Sequence, residues 1–406
     1  MPQENKTKKR SPFAMRVGIG SGVSLADIRS AAQNDPGAFM LKMQDAIDKG
    51  DLTLEKFNLR DTFRALVDIP VPARMPFMGE MREITTGAFP LLTGNLVVKR
   101  LNDAYDEIPT IGEELVDEMN DPKKFTTIAS IHSLDVNTSR VDEGDPFPEI
   151  GAGEEKVTIG HNRNGRKLSI TAEAIEENEI ADFVRRVNAL AFIASDWIEE
   201  QTLERVCDKY GSNTSTAAAP YVYMPDGVGA ALYSATANTP GTKAPSGTRV
   251  ANNPLVDYQS LDSARTVLVA MLNNRGKRIS LPMSQMIMLV PDALVGVATM
   301  IRGSELVPGV ENQINPWGPR GQWQPRILST PKLDDISTSA WYLGAFKQQF
   351  VRKWKLNFEY ITMAGTTQEF LDRRVAFQAR IAWDVEVGAT EYVKVIQNLD
   401  GTTYTP

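Results

Sequence analysis

Residues 179–210 read EIADFVRRVNALAFIASDWIEEQTLERVCDKY, and this stretch decides the fold. Its apolar residues recur at steps of three and four, and neither Pro nor Gly interrupts them. At about 1.5 Å per residue the pattern predicts a helix of about 45 Å. Alone, it fits either a long core helix of a large domain or a structural spine. The predicted core face consists of Phe183, Val187, Leu190 and Trp197.

An acidic segment precedes the helix at residues 141–155 (VDEGDPFPEIGAGEE). Its prolines and glycines exclude regular structure, and the extended stretches on either side predict a projecting loop over 138–165. The returning stretch, 156–171, is strand-like and carries Arg163, Arg166 and Lys167. The acids of the loop are Asp142, Glu143, Asp145, Glu149, Glu154 and Glu155.

Three roles are open for this loop. It can be a solvated acidic loop, a calcium site or a contact with a basic patch on another subunit. The calcium role lacks the alternating oxygen-ligand spacing of a calcium loop. A solvated acidic loop is the default interpretation. The third role has support from the neighbouring Arg163, Arg166 and Lys167, because opposite charges on a repeated subunit can set the register between copies.

Strand and helix patterns elsewhere predict an α+β chain. Residues 375–387 alternate strictly between apolar and polar, which is typical of a long strand with one apolar face. Further strands are predicted over 125–131, 286–290, 324–328, 340–345 and 350–360. Helical spacing at Ile111, Leu115 and Met119 predicts a helix, as does 259–274, and Asp292 is a candidate cap for a helix over 293–301.

Length, charge and cysteine content restrict the class of protein. A chain of 406 residues suggests two to three domains. A net charge of -7 argues against coating nucleic acid through a basic surface. The single cysteine, Cys207, excludes a disulfide framework, and we interpret it as a packed small hydrophobe. Lacking a membrane span or secretory signal, the protein is expected to be made in the cytoplasm and to contact no membrane.

The search for catalytic chemistry predicts that the protein is not an enzyme. The two histidines, His132 and His161, form no cluster with metal-ligand spacing, so we expect no metal and no cofactor. The Gly-rich run at residues 18–22 leaves open a nucleotide-using enzyme. However, it lacks the Gly-Lys-Ser/Thr ending of a phosphate loop.

The order of these elements resembles the major capsid proteins of tailed bacteriophages, which have the Hong Kong 97-type fold. Local segments that carry the resemblance are VDEGDPFPE at the loop tip, RKLSITAEAIEENEIADF before the spine helix, MIMLVPDALVGVATMI, PRILSTPKLDD, WYLGA and QEFLDRRVAFQARIAWDVEV. ITTGAFPLLTGNLVVKRLNDAY and PDGVGAALYSATAN are most similar to Mu-like prophage head subunits. The resemblance covers residues 84 to 400.

The resemblance implies a division of the chain. Residues 1–80 would be an N-terminal arm or a scaffold-like segment removed in maturation, and 138–165 the extended loop. The peripheral domain would take 81–137, 166–220 with the spine helix, and the closing segment 365–406. The axial domain would take 221–364.

It also implies a function and its partners. Subunits would form hexamers and pentamers of an icosahedral virion capsid that encloses double-stranded DNA without sequence-specific binding. Further partners would be a portal and, in some relatives, a scaffold, a maturation protease and decoration proteins. The alternative is an encapsulin-like nanocompartment shell; the residue 1–80 extension favours the virus.

Overall fold

The structure is a computed structural model, and its description covers most of the chain after residue 110. The described ranges are 110–129, 156–160, 162–171, 180–210, 222–224, 229–236, 245–272, 285–307, 313–321, 323–364 and 375–401, with single positions at 44, 45, 48, 49, 96, 99, 100, 103, 108, 173, 276, 278, 279 and 281. The acidic segment and residues 1–43 lie outside these ranges.

Helices and strands alternate irregularly along the described ranges, which confirms the predicted α+β class. The helices are α1 (Gly112–Leu115), α2 (Ile180–Val206), α3 (Tyr258–Ala270) and α4 (Asp292–Gly303), with 3-10 turns at Pro331–Leu333 and Phe346–Gln348. The strands are β1 (Asp117–Asn120), β2 (Thr126–Ala129), β3 (Lys156–Ile159), β4 (Asn162–Thr171), β5 (Arg249–Val250), β6 (Ile287–Pro291), β7 (Arg326–Thr330), β8 (Trp341–Gly344), β9 (Phe350–Ala364), β10 (Val375–Ala389) and β11 (Val395–Asn398).

The chain forms two compact units, and α2, β9 and β10 each run from one into the other. Unit 1 comprises Met1–Pro109, Arg163–Asp196 and Asn357–Trp383, and unit 2 comprises Thr110–Asn162, Trp197–Leu356 and Asp384–Pro406. The division into peripheral and axial domains that the resemblance implies stays a prediction.

A five-stranded mixed sheet lies within unit 2, in the order β5-β11-β8-β6-β7. Strand β8 is antiparallel to both of its neighbours, β11 and β6, whereas β6 and β7 are parallel. A Cβ at Gly344 would lie 2.1 Å from the carbonyl oxygen of Lys394, so only glycine fits where β8 meets β11. The closing segment 365–406 of the sequence therefore contributes one strand, β11, to this sheet.

The same sheet forms the middle of the unit 2 core. Trp341, Tyr342 and Leu343 of β8 are fully buried, and helices α3 and α4 pack against the sheet. Strands buried on both faces read as continuous apolar runs, which is the pattern of IMLV in β6 and WYL in β8.

A four-stranded sheet has the order β1-β9-β10-β4. Its strand β10 extends the predicted 375–387 strand to Ala389. The predicted apolar face is buried in the second half of the strand, where Val385 is 3% exposed, and the polar face is buried there as well, since Asp384 is 1% exposed. On the polar face the Glu386 carboxylate pairs with the nearly inaccessible Arg205.

Helix α2 is shorter than the predicted 179–210. It spans 27 residues, which is about 40 Å. Asp208 has a φ of 49°, in the left-handed region that ends a helix, and residues 207–210 form a turn.

Two local predictions need correction. Met119 lies in strand β1, because α1 ends at Leu115 and Val116 is already extended. Asp292 is the first residue of α4 and not its cap, because Pro291 in β6 takes the N-cap position. Asp334 supplies the missing acceptor, since its Oδ1 accepts the Ala293 N–H at 3.3 Å. The negative charge of Asp292, in the first turn of α4, still interacts favourably with the positive end of the helix dipole.

Truncating Leu343 tests the placement of the core. Leu343→Ala removes a fully buried side chain from the middle strand of the five-stranded sheet, so we expect a loss of about 2–5 kcal/mol in the free energy of unfolding. Val256, which is 67% exposed, is the control, and Val256→Ala should change it by less than about 0.5 kcal/mol. Urea unfolding measures both; equal effects would contradict this placement.

Candidate functional site

A two-stranded ladder closes the base of the acidic loop. Strands β2 and β3 pair antiparallel from Thr126 opposite Ile159 to Ala129 opposite Lys156. The intervening residues, 130–155, include all six loop acids, and these lie outside the described residues. The ladder brings the two ends of that segment together, so both chain ends of the loop are fixed to one point of unit 2.

The ladder is anchored through one face of β3. Val157 and Ile159 are buried, and Ile159 packs against Gly388 in β10. A Cβ at Gly388 would lie 2.8 Å from Cγ1 of Ile159, so a larger residue at this position would push the ladder away from β10. The Thr158 N–H also donates to the Met224 carbonyl at 3.3 Å.

A carboxylate orders the chain just before β2. Asp121 accepts hydrogen bonds from the Thr126 hydroxyl at 2.6 Å and from the Lys123 N–H at 3.0 Å. The Thr126 bond, more than any other contact, lowers the pKa of Asp121. The Lys353 ammonium donates to the Lys123 carbonyl at 2.7 Å, and its burial lowers the pKa of Lys353. This network fixes the chain at the start of β2.

The three predicted basic residues lie on β4, at one edge of the four-stranded sheet. Arg163, Arg166 and Lys167 are all exposed. Because side chains alternate along a strand, Arg163 and Lys167 share one face and Arg166 lies on the other. A Cβ at Gly165 would lie 2.6 Å from the Ile381 carbonyl oxygen, so glycine lets β4 approach β10 closely. The basic residues thus surround a sheet edge and do not form a flat patch.

Residues of the predicted spine-helix face have different surroundings. Val187 and Leu190 are buried in unit 1, and Trp197 is half-buried in unit 2. Nothing is described of the side chain of Phe183. In unit 1 the Asn188 side chain also accepts a hydrogen bond from Arg100 at 3.0 Å.

Polar residues of α2 that the sequence pattern did not single out make long-range contacts. The buried carboxylate of Glu199 accepts the N–H groups of Ile111 and Gly112, both at 3.1 Å, and so caps α1. Arg205 donates to Glu386 of β10 at 2.9 Å, with both side chains nearly inaccessible. Their partners are 87 or more residues away, so no local signal could have indicated these pairs.

The C-terminal end of α2 is buried, and its polar groups are hydrogen-bonded. The Tyr233 hydroxyl donates to the Val206 carbonyl at 2.8 Å, and the Tyr342 hydroxyl donates to the Cys207 carbonyl at 3.3 Å. Asp208 accepts the Leu232 N–H at 2.8 Å. Cys207 is buried, as predicted for a packed small residue, and burial raises its pKa to about 12. These contacts satisfy helix carbonyls that would otherwise lack donors.

Metal-binding and membrane-spanning features are absent from the part of the chain that the structure describes. No group of three or more His, Cys, Asp or Glu side chains in these ranges could hold a metal ion. Among the same residues, no helix has the length and apolar character needed to cross a membrane.

Comparison with known proteins identifies the family. The family model described as phage capsid protein matches residues 155–398, more than half of the chain. The chain therefore belongs to the phage capsid protein family. It is a major capsid protein with the Hong Kong 97-type α+β fold, a subunit of a homo-oligomeric icosahedral shell in the virion.

Solved structures similar to the chain include two capsids and a mycobacterial phage structure. The capsid of the native GTA particle is 9% identical, with a TM-score of 0.45 over 81% of this chain and 96% of that chain. The capsid of Ralstonia phage GP4 is 10% identical, with a TM-score of 0.45 over 72% and 88%. Mycobacterium phage Patience gives 11% identity and a TM-score of 0.43 over 82% and 97%. No curated protein matches the chain significantly.

Removing Arg205 tests the buried ion pair. Arg205→Met leaves the Glu386 carboxylate buried without its cation, so we expect a loss of about 3–5 kcal/mol in the free energy of unfolding at neutral pH. The control is Arg205→Met with Glu386→Leu, which removes both charges and should recover most of the loss. Chemical denaturation of the three proteins measures the difference.

The pH dependence of Arg205→Met has a definite sign. Burial raises the pKa of Glu386 above its unfolded value, so the folded state takes up the proton first as the pH falls. The folded state then gains stability relative to the unfolded state, and the penalty of Arg205→Met should shrink between neutral pH and the unfolded carboxyl pKa. A penalty that grows on acidification would contradict the buried-charge account.

Proposed function

We propose that the protein assembles into pentamers and hexamers that close the shell around double-stranded DNA. The observation that carries this proposal is the β2–β3 ladder, which fixes both ends of the acidic loop to unit 2. A loop held in this way can reach a neighbouring copy while its base stays rigid. Many modest contacts of this kind become cooperative in a closed shell.

In this proposal the acidic loop binds the basic edge strand of a neighbouring copy. The loop contributes six negative charges, and β4 exposes Arg163, Arg166 and Lys167 along a sheet edge. Opposite charges on two parts of one repeated subunit fix the register between copies. Two acidic loops would repel each other, so the charges favour contact of the loop with the edge strand over contact between two loops.

The proposal extends to the enclosed genome, the other partners and the place of synthesis. Because each chain has a net charge of -7, the shell encloses its genome without binding it through a basic inner surface. The protein acts as a structural component and not as an enzyme, and it needs no cofactor. It is made in the host cytoplasm and meets a portal during assembly; a scaffold, protease or decoration protein are further partners. Among phage capsid proteins, the Mu-like head subunits are its proposed closest relatives.

Deleting the loop tests its proposed role. A variant with Asp142 to Glu155 replaced by a short Gly-Ser linker should fold like the unsubstituted chain, because the β2–β3 ladder lies outside the deletion. We expect it to form no shells in electron micrographs. A second variant keeps the length but changes the six acids to their amides, which separates loss of charge from loss of reach. Shells of normal size from the deletion variant would refute the role of the loop.

Charge reversal tests the partner of the loop. Arg163→Glu with Arg166→Glu and Lys167→Glu should reduce shell yield at least tenfold, since the basic edge then repels the loop. Adding Asp142→Lys, Glu143→Lys and Asp145→Lys should restore part of the yield. Light scattering during assembly, at two salt concentrations, measures both effects because salt screens exposed charges. Equal yields from all three proteins would contradict the pairing of loop and edge strand.

A further inference from the structure

Unit 2 exposes an apolar patch that the shell contacts proposed above do not use. Leu306 and Ile314 face each other across an antiparallel bridge and are 53% and 59% exposed. We call these two residues the apolar patch. Single exposed apolar residues are ordinary, but neighbouring ones mark interaction surfaces.

Backbone bonds hold Leu306 and Ile314 side by side. The Val307 N–H donates to the Gln313 carbonyl at 2.9 Å, and the Asn315 N–H donates to the Glu305 carbonyl at 3.0 Å. These two bonds flank the bridge, so Leu306 and Ile314 form a non-hydrogen-bonded pair, in which side chains lie closest. The two side chains therefore point outward together from one face.

A buried asparagine fixes this bridge to the end of α4. The side-chain amide of Asn315, which is 2% exposed, donates to the carbonyls of Ile301 at 2.6 Å and Ser304 at 3.0 Å. Its oxygen accepts the Trp317 N–H at 3.0 Å. The amide thus satisfies two carbonyls at the helix end and sets the next turn of the chain.

An aromatic pair, Trp317 and Trp323, is linked to α3 through Arg265. The rings of Trp317 and Trp323 lie 5.6 Å apart, and the Arg265 guanidinium lies 3.4 Å from the centre of the Trp323 ring. Trp317 is buried. Together with the bonds of Asn315, these contacts fix the residues on either side of the bridge, which lowers the entropy cost of binding through Leu306 and Ile314.

Both charge signs lie beside the apolar patch. Glu305 and Arg320 form an ion pair at 3.5 Å, with 54% and 72% of their side chains exposed. An exposed pair of this kind contributes little to the stability of its own subunit. Its charges can therefore pair with the opposite charges of an identical surface region, which makes the surroundings of the patch complementary to a second copy of the chain.

We propose that the apolar patch is a contact between copies of this chain in the shell. The inference rests on the proposed assembly, because a shell built from one chain brings the surfaces of neighbouring copies into contact. An apolar centre with polar, mixed-charge surroundings is the usual anatomy of such a contact. The contact is separate from the acidic loop and from the basic edge strand.

The test compares assembly of the unsubstituted chain with that of Leu306→Ser/Ile314→Ser. Both residues are exposed, so the variant should keep the thermal unfolding midpoint of the unsubstituted chain while its shell yield falls at least tenfold. Val256→Ser, at a separate residue that is 67% exposed, should assemble normally. Sedimentation and electron microscopy measure assembly.

A thiol reporter tests whether the patch becomes covered. Cys207 is 1% exposed and burial raises its pKa to about 12, so an Ile314→Cys thiol is the reactive one. It should be alkylated at least tenfold more slowly in assembled particles than in free subunits, the rates in denaturant serving as reference.

The outcomes separate this inference from the proposed function. Normal shells from Leu306→Ser/Ile314→Ser, or equal alkylation of Ile314→Cys in particles and free subunits, would overturn the inference and leave the shell proposal standing. These results would assign the patch to a partner of another kind. If the unsubstituted chain forms no particles, the proposed assembly fails, and the inference fails with it.

Discussion

The buried C-terminal end of helix α2 is the constraint on which unit 2 depends. A helix that ends in a protein core leaves carbonyl groups that must find donors. Here the hydroxyls of Tyr233 and Tyr342 supply them, and Arg205 in the last turn pairs with Glu386 of β10. An error in the position of α2 would break all of these contacts at once.

Strand β10 transmits this constraint to the base of the acidic loop. Glu386 holds the helix, and two residues later Gly388 provides the close contact for Ile159 of β3. The ladder of β2 and β3 therefore rests on the strand that anchors α2. In the proposed assembly, a displaced loop base would be repeated at every contact between copies, so a fixed base would favour accurate assembly.

The spacing of apolar residues predicted those elements in which burial of one surface determines the sequence pattern. The spacing of apolar residues in α2, the alternation in β10 and the apolar runs of β6 and β8 each gave the correct type of element, because burial of a single surface determines each pattern. Element order and local resemblance then gave the fold class and family, which the family model bears out.

Several features that the sequence did not predict depend on polar contacts between residues that are far apart in the chain. The second half of β10 is buried on both faces because Arg205, 181 residues away in the sequence, reaches Glu386. Asp334 replaces Asp292 as the acceptor at the start of α4, 41 residues from Ala293. The apolar patch escaped notice since Leu306 and Ile314 lie in an irregular stretch with no period. The loop acids were identified by composition alone, and their contacts stay a prediction.

Cryo-electron microscopy of particles from the unsubstituted chain shows most directly whether copies of the chain assemble as proposed. We expect closed icosahedral shells of pentamers and hexamers, with the acidic loop of one subunit lying on β4 of its neighbour. A chain that stays monomeric under all assembly conditions, also after truncation before residue 80, would contradict this expectation.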